Sequence, residues 1–265
     1  MRRLLSFACE GERLAASLDD GGGTTGILLV IGGSQTRIGS HRMYERLAEA
    51  LADNGFPAFR YDRRGVGDSS GVDPGFRGSG PDIAAAAAAF RSESPSLTRL
   101  IGFGLCDGAT AIALSGAQTG LDGLILVNPW LVEVEEPDTP PPAAIRRHYM
   151  QRLTSRDGWK KILTGSVNWR KLLKGIRKAS AAHGAAALAS ETATALRASA
   201  LPTHLILAEG DATAIAAEAE LRATAFDGII AGRETLPTDS HTFARPGDEA
   251  ALLAAMERAL TALAA

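Results

Sequence analysis

Apolar and polar positions alternate along this chain in two distinct rhythms. Residues 24–33, TTGILLVIGG, form a continuous apolar run that ends in two glycines, the pattern of a strand buried on both faces. LTRLIGFG (97–104), LDGLILVNPW (121–130) and THLILAEGD (203–211) repeat it, and PAFRYD (57–62) is a shorter version. GIIAGRETLP (228–237) is a weaker strand, and LLSFAC with RLAASLDD near the N-terminus reads as a hairpin of two more. Between these runs the spacing changes to that of helices. MYERLAEALADNGF places Met43, Leu47, Ala50 and Leu51 on one face and stops at Asn54-Gly55. DIAAAAAAFRSE, GATAIALSGAQTG, AIAAEAELRATAF and the terminal EAALLAAMERALTALAA follow the same logic. Single helices between strands require right-handed crossovers, so the pattern predicts an α/β fold with a mostly parallel, eight-stranded sheet flanked by helices.

Residues 133–200 break the rhythm. EVEEPDTPPP is an acidic, proline-rich departure, and no strand pattern returns until residue 205. From Arg146 to Lys178 the cations Arg146, Arg147, Arg152, Arg156, Lys160, Lys161, Arg170, Lys171, Lys174, Arg177 and Lys178 stand against one acid, Asp157. We read a helical, basic lid inserted after the sixth strand, with 1–132 and 201–265 forming the core. The formal net charge of −2 therefore conceals a basic segment set against an acidic remainder, and it gives no argument for a nucleic-acid partner. Two cysteines are too few for a disulfide framework and fit a reducing compartment. MRRLLSFACEGERL is interrupted by Gly11, Glu12 and Arg13 before a signal-peptide core could be complete, so a strand and a cytoplasmic protein are expected.

Candidate chemistry centres on IGFGLCDGAT, residues 101–110. A strand runs through a tight turn at Cys106 into a helix, the setting of a G-x-S-x-G nucleophile elbow with cysteine in place of serine. Gly104 and Gly108 would let strand and helix approach closely. The turn aims the thiol outward and puts the Asp107 N–H at a helix N-terminus, where it can hold an oxyanion. A small buried thiol in a turn is the simpler alternative. Against it, THLILAEGD ends in Asp211, and DSHTF places His241 in a loop before the last helix. Nucleophile 106, acid 211 and base 241 follow the chain order of an α/β-hydrolase. Of the other histidines, His41 opens a helix, His148 and His183 fall in the lid, and His204 begins a strand. Glu209 and Asp239 compete with Asp211 for the acid. The run Gly32-Gly33-Ser34-Gln35 ends a buried strand where this fold supplies a second oxyanion N–H, making Ser34 and Gln35 the candidates. Cysteine and histidine spacing fits no metal site, and GFGLCDG fails the dinucleotide fingerprint by one position, so no cofactor is expected.

GGSQTRIGSHR, YDRRGVGDSSG, GLCDGA, GDATA and DSHTF together resemble the exosortase A system-associated hydrolase 1 group of α/β-hydrolases. That resemblance implies the α/β-hydrolase fold, a hydrolase, and a setting in exopolysaccharide export and protein sorting. Members of the group carry proline where Ser34 stands, and proline cannot donate an N–H, which implies Gln35 as the second donor. A Cys-His-Asp triad on this fold also has a distant likeness to dienelactone hydrolase.

The residues lead to an acyl hydrolase, a carboxylesterase or thioesterase working through an acyl-cysteine. An acyltransferase on the same triad and a non-catalytic thiol-bearing scaffold are the alternatives. Thiolate leaves more readily than alkoxide, so substrates with good leaving groups are expected. The basic lid is either a solvated face or a site for an anionic partner: acyl-CoA, an acyl carrier protein or the membrane surface. The second option would make the protein peripheral to the inner membrane.

Overall fold

The computed structural model describes residues 1–132, 185–222 and 224–264. Its eight strands form one sheet in the order β1-β2-β4-β3-β5-β6-β7-β8. β1 (Arg2–Cys9) and β2 (Glu12–Asp19) pair antiparallel as the expected hairpin. β2 also runs antiparallel to β4 (Ala58–Tyr61). From β4 onward every pairing is parallel, through β3 (Thr25–Val30), β5 (Arg99–Leu105), β6 (Gly123–Val127), β7 (Thr203–Ala208) and β8 (Ile230–Leu236).

Period-two alternation divides each central strand between two cores. Leu28 and Val30 of β3 join Leu124, Leu126, Leu205 and Leu207 on one face. Ile27 and Leu29 join Phe103, Ile125, Val127 and Ile206 on the other. The first face is covered by α3 (Gly80–Glu93), α4 (Asp107–Ser115), α5 (Ala185–Ser199) and α6 (Ala212–Leu221). The second is covered by α1 (Met43–Asp53) and α7 (Asp248–Ala264). Each fully buried Leu, Ile or Phe stabilises by about 1.5–3 kcal/mol, which makes this two-faced burial the main force that holds the strand ends in place.

Several boundaries move from their sequence positions. β3 stops at Val30, and Ile31 to Gln35 leave the sheet through Gly33 at φ 63°. A short helix, α2 (Gly75–Gly78), stands between YDRRGVGDSSG and the predicted helix that follows. Residues 185–199, assigned by sequence to the insertion, form α5, whose Ala189, Ala193 and Leu196 are buried in the same core as the sheet. The basic run at 146–178 lies outside the described residues. Among those described, no helix is long and apolar enough to cross a membrane.

Candidate active site

The C-terminal ends of the parallel strands converge on Cys106. It follows β5 directly and holds φ 60°, ψ −126°, a conformation that costs on the order of 1–3 kcal/mol for a residue with a side chain. Its backbone is gripped on several sides. Its N–H donates to Val127 O at 3.0 Å, and its carbonyl accepts from Ala109 N at 3.1 Å and Trp130 N at 3.1 Å. The flanking glycines are required by space rather than by their own dihedrals. A Cβ at Gly104 would stand 2.6 Å from the backbone of Gly108 and Ala109, and one at Gly108 would stand 2.9 Å from Gly32 N. Strand, elbow and the loop after β3 therefore touch backbone to backbone. The thiol itself is half-buried.

Asp211 ends the turn after β7 as the N-cap of α6. One carboxylate oxygen accepts the Ala214 N–H at 2.9 Å, which fixes the side chain, and the other faces His241. His241 Nδ1 stands 3.1 Å from Asp211 Oδ1. The ring N–H points off the line between the two atoms, so the contact is a charge attraction more than an aligned hydrogen bond. Burial alone would lower the His241 pKa. Its contacts with Asp211 and Cys106 outweigh that and hold the imidazole up at about 10. These two neighbours favour the charged form of the imidazole.

The loop carrying His241 is braced from both sides. Thr238 Oγ1 donates to Asp248 Oδ2 at 2.6 Å and accepts the Ser240 N–H at 3.1 Å. Asp239, a competing acid in the sequence, is instead paired with Arg245, with Nη2–Oδ2 at 2.7 Å. Phe243, two residues past His241, is fully buried and anchors the loop in the α7 face of the core.

The loop after β3 forms the opposite wall. Arg37 donates its backbone N–H to Asp62 Oδ1 at 2.5 Å and its guanidinium pairs with the same carboxylate. Asp62 is fully buried and also accepts the Asp68 N–H at 3.1 Å. This gives YDRRGVGDSSG its role: Asp62 ties down the loop that faces Cys106. Gln35 lines the pocket, and its side-chain carbonyl accepts from Ser40 N and Ser40 Oγ. Ser34 is exposed and does not line the pocket.

A pocket of about 260 Å³ opens above Cys106 and His241. Leu105, Tyr44, Phe76 and Trp130 give it a largely apolar, aromatic wall. Sequence reading had marked none of the three aromatics. Trp130 lies just past β6, beside the elbow, and that position was the available signal. Tyr44 was read only as part of the α1 pattern, and Phe76 sits on the unexpected α2. Among the described residues, no group of three or more His, Cys, Asp or Glu side chains could hold a metal ion.

Residues 27–223 match the family model described as serine aminopeptidase, S33. No curated protein matches the chain in sequence. Among solved structures, Est1E of Butyrivibrio proteoclasticus, solved with bound ferulic acid, is 17% identical. The match covers 98% of this chain and 100% of that one, with a TM-score of 0.64. The Pyrococcus furiosus esterase Pf2001 is 14% identical over 97% of this chain and 92% of its own, with a TM-score of 0.63. A thermophilic esterase of Thermogutta terrifontis, solved with malate, is 21% identical over 98% and 99%, with a TM-score of 0.58.

Proposed function

From the premise that the chain belongs to the serine aminopeptidase, S33, family of α/β-hydrolases, we propose that it hydrolyses esters or thioesters through an acyl-cysteine on Cys106. The observation that carries this reading is the convergence of the strained Cys106 and of His241 on one largely apolar pocket, with the buried Asp211 carboxylate against the imidazole. The esterase structures that share the fold support ester-bond chemistry.

Cys106 passes its thiol proton to His241 as the sulfur attacks the acyl carbonyl. The new S–C bond pushes the carbonyl electrons onto oxygen, where the Asp107 N–H and a loop amide of Ser34 or Gln35 receive the charge. Collapse of that intermediate expels the leaving group, which takes its proton from His241. Now neutral, the imidazole removes a proton from water, and the resulting hydroxide attacks the thioester and regenerates Cys106. Asp211 holds the ring and stabilises its charged form throughout.

Cysteine changes what this sequence can process. A free thiol titrates near about 8.5, so thiolate is a far better leaving group than an alkoxide. The intermediate formed from a plain alkyl ester falls back to thiolate and ester unless His241 protonates the alkoxide first. Thioesters, aryl or enol esters and strained lactones avoid that reversal. The pocket's apolar aromatic wall suits an uncharged acyl group. The narrower reading, a member of the exosortase A system-associated hydrolase 1 group, rests on the motif resemblance. A cytoplasmic place rests on the cysteine usage, and an anionic partner or the inner-membrane surface on the charge of residues 146–178, which lie outside the described ones.

A panel of thiol, aryl and alkyl esters sharing one acyl group tests the proposal. The expected order of kcat/KM is thioester and aryl ester well above alkyl ester. A preference for the unactivated alkyl ester overturns it.

A further inference from the structure

The carboxylate of Asp107 lies where no hydrolytic step requires one. The fold asks only for the backbone N–H of this residue, yet its side chain is turned onto the opposite wall of the pocket. Asp107 Oδ1 accepts the Gly33 N–H at 2.5 Å. The approach is close enough that a Cβ on Gly32 would run into the same oxygen and would also lie 2.5 Å from Leu105 O. The Gly33 amide of the loop is thus committed to a protein acceptor. Farther along, the Arg37 N–H is committed to Asp62 and the Ser40 N–H to the Gln35 side chain.

We infer that the Asp107 side chain is the positioning residue of the oxyanion loop: by capturing the Gly33 N–H it sets the turn so that the amide offered to the substrate oxygen comes from Ser34 or Gln35. The inference rests on the reading of Cys106 as nucleophile and deepens it. A carboxylate is a costly neighbour for a developing oxyanion, since like charges repel across a pocket of low dielectric. Its presence makes sense if the hydrogen bond it holds is worth more to the transition state than the repulsion costs. Charge-assisted bonds from N–H to carboxylate are about twice as strong as neutral ones, which favours aspartate over a neutral acceptor for pinning a glycine pair. An acid in the first turn of α4 also complements the helix dipole. That alone would not aim it at Gly33.

The test uses the full-length protein with p-nitrophenyl acetate and a trifluoromethyl ketone, which adds to a thiol as a tetrahedral oxyanion. For Asp107→Ala we expect kcat to fall about 10²–10³-fold, the loss of one oxyanion donor, with KM moving less than about threefold. Trifluoromethyl ketone inhibition should weaken in parallel, while alkylation of Cys106 by iodoacetamide stays near the wild-type rate. Asp107→Asn keeps an acceptor for Gly33 N–H and should recover to within about tenfold of wild type. Wild-type kcat in Asp107→Ala overturns the inference, as does loss of alkylation in step with kcat, which would place the effect on the thiol. Should Asp107→Ala fail to fold, Asp107→Asn decides: retained activity supports the clamp, and a loss beyond about 100-fold rules it out. Failure of the underlying reading shows separately, as wild-type enzyme that stays active once Cys106 is alkylated.

Discussion

His241 and Asp211 face each other at 3.1 Å across the gap between two loops that are 30 residues apart in sequence, with the charged form of the imidazole favoured and the carboxylate fixed by its cap on α6. In the mechanism proposed above, that places Asp211 as the group that orients His241.

Replacing that acid therefore has a specific signature. Asp211→Asn keeps the cap acceptor for Ala214 N–H but removes the charge that raises His241. The imidazole should titrate well below its present value of about 10, and kcat should fall by about 10²–10⁴-fold. An NMR titration of His241 beside the rate measurement checks both. An unchanged His241 titration with lost activity would contradict this role.

The pH dependence of stability separates His241 from His204. His241 has its pKa raised in the folded state, so its contribution is complete below the unfolded value near about 6.5. That contribution is lost as pH rises towards about 10. His204, in β7 beneath Gly232 of β8, is the opposite case. Burial lowers its pKa, against the pull of Glu234, and its Nε2 has no hydrogen-bond partner. Its contribution is complete above about 6.5 and is lost as pH falls below that value. Thermal unfolding between pH 5 and 7 should show falling Tm in the wild type and a flatter profile in His204→Leu. Equal slopes would place the acid sensitivity elsewhere.

Asp62 holds Arg37, the anchor of the loop opposite the nucleophile, and both side chains are largely or wholly removed from solvent. Asp62→Ala removes the acceptor of the Arg37 and Asp68 backbone N–H groups and leaves the largely buried Arg37 guanidinium with only the exposed Asp68 carboxylate as ion-pair partner. We expect a loss of about 3–5 kcal/mol, measured by urea unfolding, with activity lost alongside. A change below about 1 kcal/mol would show the pair to be dispensable.

How far the sequence foretold this arrangement depends on the kind of signal. β3, β5, β6 and β7 were plain because continuous apolar runs bounded by glycines have few other uses. The order Cys106, Asp211, His241 was legible for a similar reason: each residue falls at the C-terminal end of a strand or in the loop before the last helix. Residues 185–199 were misplaced because an alanine-rich helix far from any strand run looks the same in an insertion as in a core layer. The buried face of Ala189, Ala193 and Leu196 emerges only against α4 and the sheet. The Asp107–Gly33 and Arg37–Asp62 bonds join residues 74 and 25 apart, and no local pattern announces such pairs. Asp239 was a credible acid until Arg245 was seen to occupy it.

The central claim is that Cys106 carries the acyl group, and mass spectrometry of the intact protein under rapid quench tests it most directly. With p-nitrophenyl acetate, the wild type should gain one acetyl group that maps to Cys106 and disappears on standing, while Cys106→Ala gains none and loses hydrolysis. Undiminished hydrolysis by Cys106→Ala, or an acetyl group mapped to another residue, would contradict it.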